Sequence, residues 1–531
     1  MAPTIFFIVL SLLFTLSTTR IQSNDEGFIS VQISNRGLDF AKDVLIDKAV
    51  SSIVPLQLPD IEKSVKIPVV GKVHVLLSNI TIYHVDVASS YIHTGETGIV
   101  LVASGATANL SMAWQYSYRT WLVPVAITDD GGASVQVEGM EVGLAAALKN
   151  QDGNLKLSVL ECGCHVKDIS IKLDGGASWL YQVVVNAFEG KIASAIENAI
   201  SKKIREGIIK LDSLLQSIPK EIPIYHTAVL NVTFVDNPVL SNSSIEVEIN
   251  GLVTAKDAVL VSNYIHKGWK DTFFCSGPAK MIQISLQQDV FNSLSLVYFD
   301  FPYGVLKASS FKLGGAFFDI VKMGHTTLAG SGFVLADYMH WIVDKIPDQS
   351  ILNTAGWRYI VPQLYKQYPD DDMNLNISVS SPPIIKVAKD VIGAIINLDV
   401  TIDVVDGGEV IPVACISLDI STSGSAVILR NNLAGRVRLE DFTAYLKWSE
   451  IGDLHMHLLQ PIMSTVLKTV ILPNVNLHLM KGFPLPLPHG FTLQNAEIVC
   501  TDSRVIVFSD LAFTEQYHLS QKLLTSLHLG T

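Results

Sequence analysis

The sequence predicts an α+β protein of two tandem, similar lobes, in each of which a twisted antiparallel sheet wraps a long helix. Three observations support this fold class. Apolar and polar residues alternate over long runs, one long helix carries an apolar stripe that drifts around its axis, and both halves repeat the same order of elements. The chain has 531 residues, roughly enough for two large or three average domains.

In the first half, a helix is followed by strands and then by a longer helix. The segment 37–54 carries a broad apolar helical face. Alternation from about 64 to 175 predicts strands, which are separated by turns rich in Gly and Asp. A long helix then runs from about 178 to 218, and Pro219 and Pro223 end it.

This long helix has an apolar residue at every fourth position. Because an α-helix has about 3.6 residues per turn, each step of four advances the stripe by about 40°. Over five steps the stripe travels about halfway round the helix. A flat partner could not follow it, but a twisted antiparallel sheet could. The stripe consists of Phe188, Ile192, Ile196, Ile200, Ile204 and Ile208.

The second half repeats this plan after a segment, FVDNPVLSNSS (234–244), that is rich in turn formers and is interpreted as a linker. Strands are predicted over 245–288 and a helix begins near Asp289. Further strands are predicted over 374–448, followed by a long helix over about 452–480. The two halves therefore resemble a structural duplication.

The stretch KGFPLPLPHGF (481–491) has a proline at every second position. Because proline lacks an N–H and alternate N–H groups of a strand point to opposite sides, the missing donors fall on one edge, and Leu485 and Leu487 can donate from the other. An edge strand and a polyproline II segment both fit. The flanking helix and strands favour a partly paired edge strand.

The N-terminus predicts export. Ile5 to Leu16 is an apolar run too short to span a bilayer, and a polar stretch follows, so residues 1–23 are interpreted as a signal peptide. The mature chain is expected to be soluble and extracellular. Five Asn-X-Ser/Thr sequons agree and predict a glycoprotein; their acceptors are Asn79, Asn109, Asn231, Asn242 and Asn376.

Charge and motifs exclude several classes of function. The net charge of −12 argues against a nucleic-acid binder and against general attraction to anionic membranes. Hydrolase, zinc-peptidase and phosphate-loop motifs are absent, so we expect no enzyme, no cofactor and no metal site. His455 and His457 are interpreted as surface or interface histidines, and the acidic run 370–372 as a solvated turn.

The five cysteines are too few for a fold built on disulfides, and their odd number leaves at least one unpaired within the chain. Cys162 and Cys164 share a face of a strand and are interpreted as two buried thiols or as one thiol and one odd partner. The sequence also allows a disulfide between Cys415 and Cys500.

Four passages carry a resemblance to a known family: residues 31–45, 162–200, 352–383 and 445–499, the last of which includes the proline stretch. The sequence resembles the family of bactericidal/permeability-increasing protein and lipopolysaccharide-binding protein (BPI/LBP), and most closely its plant members. The resemblance covers nearly the whole mature chain. It implies a boomerang of two lobes, each enclosing an elongated apolar pocket for phospholipid acyl chains.

The resemblance also implies an organisation along the chain. We expect an N-terminal lobe over 24–233, the linker over 234–244 and a C-terminal lobe over 245–531. Residues 301–335 have no counterpart in the family and interrupt a predicted helix. We hypothesise that they are an insertion that is disordered or looped out.

The resemblance also implies a function for this protein. The resemblance predicts a secreted, apoplastic lipid-binding protein that binds bacterial lipopolysaccharide in innate immune defence, with an antimicrobial role and no covalent chemistry. Its expected partners are lipopolysaccharide, phospholipid and the bacterial outer membrane surface, with no nucleic acid. One alternative is a carrier of endogenous phospholipids or other apolar lipids, and another is a structural adhesion glycoprotein.

The family places ligand binding at the tip of the N-terminal lobe, which here reads MAWQYSYRTWL (112–122). Residues 27–125 carry no net charge, so aromatic residues replace most of the cations of the animal members. As exposed aromatics they would suit a headgroup boundary; the alternatives are a strand packed on the core and, for the lysines, a solvated surface. The candidates are Trp114, Tyr116, Tyr118, Arg119, Trp121, Lys63, Lys66 and Lys72.

The resemblance also makes the helical stripe a candidate lining of the lipid pocket. Its alternative interpretation is ordinary core, which the apolar residue types alone would equally produce. The candidates are Phe188, Ile192, Ile196 and Ile200.

Overall fold

The computed structural model of the protein describes residues 27–67, 70–95, 98–119, 125–175, 178–225, 228–255, 279–300, 353–355, 357–358, 361–487 and 490–513. The predicted signal peptide, the 301–335 insertion and Trp121 lie outside the described residues.

The first part of the chain contains two helices, α1 (Asn35–Ile53) and α2 (Ser178–Gln216). Its strands are β1 (Ile29–Ser34), β2 (Leu56–Gln57), β3 (Ile61–Ile67), β4 (Gly71–Asp86), β5 (Ser89–Gly95), β6 (Gly98–Tyr118), β7 (Ile127–Gln151), β8 (Asn154–His165), β9 (Asp168–Asp174), β10 (Glu221–Tyr225) and β11 (Ala228–Asn231).

The second part contains the helices α3 (Gln288–Asp300), α4 (Pro362–Gln367), α5 (Met456–Val466) and α6 (Leu472–Leu479). Its strands are β12 (Val239–Ser241), β13 (Ser244–Ile249), β14 (Val253–Ala255), β15 (Ile282–Gln287), β16 (Asp372–Val379), β17 (Ile384–Ala388), β18 (Val391–Asp406), β19 (Glu409–Leu429), β20 (Asn432–Ser449), β21 (Phe483–Pro484), β22 (Phe491–Thr501) and β23 (Arg504–Phe513).

The first lobe is a sheet of antiparallel strands against which α2 packs. The strand order is β2-β4-β6-β7-β8, with β3 paired to β4, β5 to β6 and β9 to β7. The helix contacts β8, β3 and β9. The predicted stripe follows this surface. Its first four members, Phe188, Ile192, Ile196 and Ile200, are buried, whereas Ile204 and Ile208 are only half-buried. The two-lobed α+β fold is thus confirmed.

The second lobe repeats the arrangement with a broken helix. Its sheet has the order β16-β18-β19-β20-β21, with β17 paired to β18, and α5 and α6 pack on β20. The long helix predicted over 452–480 is interrupted by a π-helical turn at Leu467–Ile471. This turn lies just before Pro473, whose ring lacks an N–H and clashes with the carbonyl one turn back, so the helix widens there.

A third sheet joins the two lobes, in the order β12-β13-β1-β15-β23-β22. The N-terminal strand β1 pairs with β13 on one side and β15 on the other, and Ser30 Oγ donates to Glu246 Oε1, 216 residues away. The predicted linker 234–244 contains β12 and a Phe234–Ile249 bridge, so part of it is paired, and its role as the connection between the lobes stays a prediction. Local turn-forming composition carries no information on pairing at this separation.

The proline stretch forms an edge strand, as predicted. Phe483 and Pro484 pair with Leu433 and Asn432 at the margin of the second-lobe sheet. The N–H of Leu485 donates to the carbonyl of Asn431 at 3.0 Å, whereas the N–H of Leu487 donates to the carbonyl of Leu485 within the stretch. The polyproline II alternative does not apply to this paired part.

One ion pair of the second-lobe sheet predicts a pH dependence. Asp399 accepts from Ser417 Oγ at 2.6 Å and from Lys447 Nζ at 2.7 Å. Burial alone would raise the pKa of Asp399, but these two hydrogen bonds hold it below its usual range. Ionised Asp399 therefore contributes stability above the unfolded pKa of about 3.9, and this is lost as pH falls through the lower folded value.

Lys447→Met is expected to weaken the fall of Tm between about pH 5 and pH 3, because the depressed pKa depends on the lysine. The effect is small, since the lysine side chain is half-exposed and the pair is screened. Thermal unfolding at several pH values measures it, with Lys386→Met as the control. A Tm that falls as steeply in Lys447→Met as in the wild type would contradict this prediction.

Candidate functional site

The aromatic residues of the tip form a stack on β6. The rings of Trp114 and Tyr116 lie 5.8 Å apart and are nearly parallel, and those of Tyr116 and Tyr118 lie 6.1 Å apart. They stack because alternate residues of a strand share one face. Trp114 Nε1 donates to the carbonyl of Gly132 at 2.8 Å, and the hydroxyl of Tyr116 donates to Asp129 at 3.3 Å.

This stack faces the core rather than solvent, which corrects the expectation of exposed aromatics. Trp114 is 3% exposed and Tyr116 is 5% exposed. Both continue the inward row of β6 that includes Leu110 and Met112, and all four belong to the core cluster that α2 completes. Burial, together with the nearby Asp129 carboxylate, raises the pKa of Tyr116. Tyr118 is half-buried.

A glycine on the neighbouring strand makes room for the indole. Gly131 pairs with Trp114 across β6 and β7. A Cβ at this glycine would lie 2.5 Å from Trp114 Cζ2 and 2.6 Å from the carbonyl of Asp174. No side chain fits there without displacing backbone, so the glycine allows the close approach of the ring.

Lys63 also points inward. Its Nζ donates to the carbonyl of Ala187 in α2 at 2.8 Å, and the side chain is half-buried. It therefore anchors β3 to the helix, and the surface position expected at the tip is corrected. The reason is register: Lys63 shares the inward face of β3 with Ile61 and Ile67.

Three other candidates lie together on the outer face. Lys66 and Lys72 are direct partners across β3 and β4, and both are exposed. Tyr118 pairs with Val73, so Arg119 follows at the same end of the sheet beside Lys72, and it is also exposed. We call Lys66, Lys72 and Arg119 the cation row. Like charges directly opposite each other destabilise a sheet, and a bound anion would relieve the repulsion.

The stripe on α2 forms part of the first core cluster. Phe188, Ile192, Ile196 and Ile200 are each at most 2% exposed. Their partners in that cluster include strand residues such as Leu77. This is what the ordinary-core interpretation requires, and a pocket-lining role stays a prediction.

The sequence did not reveal an open groove between the second-lobe sheet and the central sheet. Its volume is about 450 Å³, within the usual range of small-molecule sites of roughly 300–1,000 Å³. Only tertiary contact brings the end of β19 beside β22, so no local signal could have found it. The groove is lined by Ala426, Val427, Ile428, Arg430, Leu493, Asn495, Ala496 and Ile498.

The five predicted glycosylation acceptors differ in accessibility. Asn79 and Asn242 are exposed, and Asn79 has a left-handed backbone with φ 54°. Asn109 and Asn231 are half-buried. The Oδ1 of Asn376 is buried without a hydrogen-bond partner. Glycosylation stays a prediction, best served by the two exposed acceptors.

The cysteines within the described ranges are free thiols, so Cys415 and Cys500 are not bridged in this structure. Cys162 and Cys164 lie on β8, and burial, with help from the Glu197 carboxylate, raises the pKa of Cys164 to about 12. A thiol with such a pKa remains protonated and is a poor nucleophile at neutral pH.

The described residues contain no cluster of three or more side chains suited to a metal. The rings of His455 and His457 lie 5.7 Å apart, outside any such cluster. In the same part of the chain, no helix combines the length and apolarity needed to cross a bilayer.

The two helices, each packed on its sheet, and the sheet that joins the lobes match the two-lobed fold of the BPI/LBP class. The chain belongs to the LBP/BPI/CETP family. Residues 37–218 match the description "LBP / BPI / CETP family, N-terminal domain", and residues 335–513 match its C-terminal domain.

Proteins that match nearly the whole chain support this family assignment. A protein of Arabidopsis thaliana named for the BPI/LBP family is 52% identical over 98% of this chain and 99% of its own length. A bactericidal permeability-increasing protein of Sebastes schlegelii is 23% identical over 92% of this chain and 95% of its own. The crystal structure of a lipopolysaccharide binding protein superposes with a TM-score of 0.58, at 18% identity, over 92% of this chain and 100% of its own.

Proposed function

We propose that the protein binds bacterial lipopolysaccharide at the tip of its first lobe, as an exported, non-enzymatic protein of innate immune defence. The cation row carries this proposal. Lys66, Lys72 and Arg119 place three cations at one end of a sheet, although the chain as a whole has a net charge of −12. Relatives named for binding lipopolysaccharide support the choice of ligand.

The chemistry of this ligand fits the cation row. Each phosphate of a lipopolysaccharide headgroup can accept from two ammonium groups at once, and Cβ atoms of opposed residues lie only about 5 Å apart. Arg119 adds a planar donor that can bind a phosphate with two hydrogen bonds. The headgroup therefore stays at the rim of the lobe, in contact with water.

The acyl chains require an apolar interior. Each buried methylene contributes about 0.8 kcal/mol, so a lipid with roughly 30 methylenes gains more than about 20 kcal/mol before opposing terms. A space between a helix and the sheet that wraps it can enclose such chains. In the first lobe, the side chains proposed to line such a space are the stripe of α2 and the inward row of β6, which belong to one core cluster.

The second candidate is a carrier of endogenous phospholipids without an immune role. The groove between β19 and β22 favours it, because the groove places Arg430 beside apolar side chains at a site distant in sequence from the tip. An anionic headgroup at the arginine would match that lining.

Lys66→Glu/Lys72→Glu is expected to weaken lipopolysaccharide binding by about thirtyfold or more, since each lysine near an anionic headgroup contributes on the order of 1 kcal/mol. Titration of purified protein with lipopolysaccharide, in competition with phosphatidylcholine vesicles, measures this. The matched control is Lys386→Glu/Lys389→Glu, which reverses two exposed cations in the second lobe.

Equal affinity of the tip variant and the wild type would refute the site. If the wild-type protein shows no preference for lipopolysaccharide over phosphatidylcholine, the carrier becomes the better proposal.

A further inference from the structure

The groove between β19 and β22 is bounded by strand edges. Four of the residues that line it, Ala426, Ile428, Ala496 and Ile498, also pack against the core cluster that contains much of the central sheet. Their side chains therefore form an apolar floor. Because the N–H and C=O groups of a strand lie in the plane of its sheet, the walls of the groove are backbone edges.

The register of β22 and β23 shows which backbone groups of β22 face the groove. Thr501 and Arg504 pair on either side of a two-residue turn, so their N–H and C=O groups bond to each other. Such bonds alternate along an antiparallel pair. The groups of Val499 therefore face β23 as well, whereas those of Cys500 and Ile498 point away from β23, on the side of the groove.

β19 presents a second edge across the groove. Leu429 and Asn432 pair on either side of a two-residue turn, so Ile428 and Ala426 direct their N–H and C=O groups away from β20. On that side of β19, the pairing with β18 ends at Gly424. The last turn of the hairpin therefore extends beyond the strand that would cover it.

The free edge of β22 is covered at both ends and open between them. Near its start, the side-chain amide of Asn431 donates to the carbonyl of Phe491 at 2.8 Å and accepts from the N–H of Leu493 at 3.1 Å. Near its end, the N–H of Asp390 donates to the carbonyl of Cys500 at 3.2 Å. Within the described part of the chain, no hydrogen bond reaches the edge groups that face the groove between these two contacts, although proteins usually cover such edges.

We infer that the groove takes an extended segment of a partner protein, which adds a strand to the free edge of β22. The wall from Ala426 to Arg430 spans roughly 13 Å at about 3.3 Å per residue, which matches a segment of about five residues. Apolar side chains at alternate positions of the segment rest on the apolar floor. Arg430, which is exposed in the turn after β19 and lines the groove, selects an acidic residue at one end of the segment.

A peptide satisfies this groove better than an acyl chain does. Each residue of a peptide carries a backbone donor and a backbone acceptor, which can bond to the open edge. An acyl chain has neither, so it would remove water from the edge groups without replacing their hydrogen bonds. The inference does not rest on the proposed lipopolysaccharide site, which lies on the first lobe.

Hydrogen exchange of the full chain without ligand tests the open edge. The N–H of Ile498 is expected to exchange fast, because only water bonds to it. The N–H of Val499, the next residue on the same strand, bonds to β23 and should exchange much more slowly, which makes it the matched control. Equally slow exchange at both residues would overturn the inference, since the edge would then already be covered.

A peptide probe tests the partner. Seven-residue peptides are selected on the full chain from a phage-displayed library, and the strongest binder is synthesised and titrated by calorimetry. We expect this peptide to carry alternating apolar residues and an acidic residue. When it is bound, the N–H of Ile498 should become protected from exchange.

Arg430→Glu is expected to weaken binding of this peptide by about tenfold or more, because a hydrogen bond between charged groups is lost. Arg438→Glu makes the same charge change at an exposed position of β20 outside the groove and should bind the peptide as the wild type does. Far-UV circular dichroism establishes that both variants are folded. Arg430→Glu should still bind lipopolysaccharide with wild-type affinity, which separates this inference from the proposed function.

Two outcomes of the peptide experiment would overturn the inference. One is that the selection yields no binder, or a binder that leaves Ile498 unprotected and binds Arg430→Glu as tightly as the wild type. The other is that short-chain phosphatidylglycerol protects Ile498 while no peptide does, because the groove would then belong to the phospholipid carrier.

Discussion

Trp114→Ala is expected to lower the free energy of unfolding of the first lobe by about 3–5 kcal/mol, the range for removing a large buried aromatic side chain. The indole is buried, stacks on Tyr116 and donates to the carbonyl of Gly132. Gly131 opposite leaves no side chain that could fill the space. Urea unfolding followed by far-UV circular dichroism measures the loss.

Two variants make this prediction specific. Trp114→Phe keeps a ring in the stack but loses the hydrogen bond, so it should cost less, on the order of 1–3 kcal/mol. Trp448→Ala removes an exposed tryptophan from β20 and should leave stability nearly unchanged. If Trp114→Ala were as stable as the wild type but failed to bind lipopolysaccharide, Trp114 would belong to an exposed ligand surface instead.

Neither predicted lobe is expected to fold when it is produced alone. A fragment of residues 24–233 contains β1 without β13 and β15, the two strands between which it lies. The fragment 245–531 contains these partners with the gap between them open. Unpaired strand edges should make both fragments aggregate, with little or no soluble native protein. In the fragment 24–233, Ile29 and Val31, which are buried in the full chain, would also lose the strands that cover them.

Production of both fragments together is expected to restore a soluble complex, because each supplies the strands the other lacks. Proteolytic cleavage at the exposed turn of Asn242 and Ser243 in the folded protein serves as the control, and the two pieces should stay associated. Size-exclusion chromatography and circular dichroism report both results. A soluble, cooperatively unfolding 24–233 fragment would show that the central sheet is dispensable.

Much of the local structure could be read from the amino-acid sequence. The helix predicted over 178–218 is Ser178–Gln216, and the edge strand predicted from alternating prolines pairs at Phe483–Pro484. Both predictions rest on properties that a few neighbouring residues determine: helical periodicity, and the missing N–H of proline.

The candidate site was predicted only in part. Strand alternation explains why Trp114, Tyr116 and Tyr118 share one face, on which the structure shows them stacked. Periodicity alone did not decide which face was inward, because aromatic residues suit a core and an interface equally. The same uncertainty applied to Lys63, whose ammonium bonds to a helix carbonyl 124 residues away.

The sequence by itself determined the class of fold, the positions of the long helices and most strands, and the family. Only the tertiary structure decided that β1 joins the two lobes, that the aromatic stack faces inward, and that Lys66, Lys72 and Arg119 form one row on the outside. The physical reason is the distance along the chain over which each kind of information acts. Periodicity records how a residue relates to its near neighbours, whereas burial and charge proximity depend on partners that fold back from distant parts of the chain.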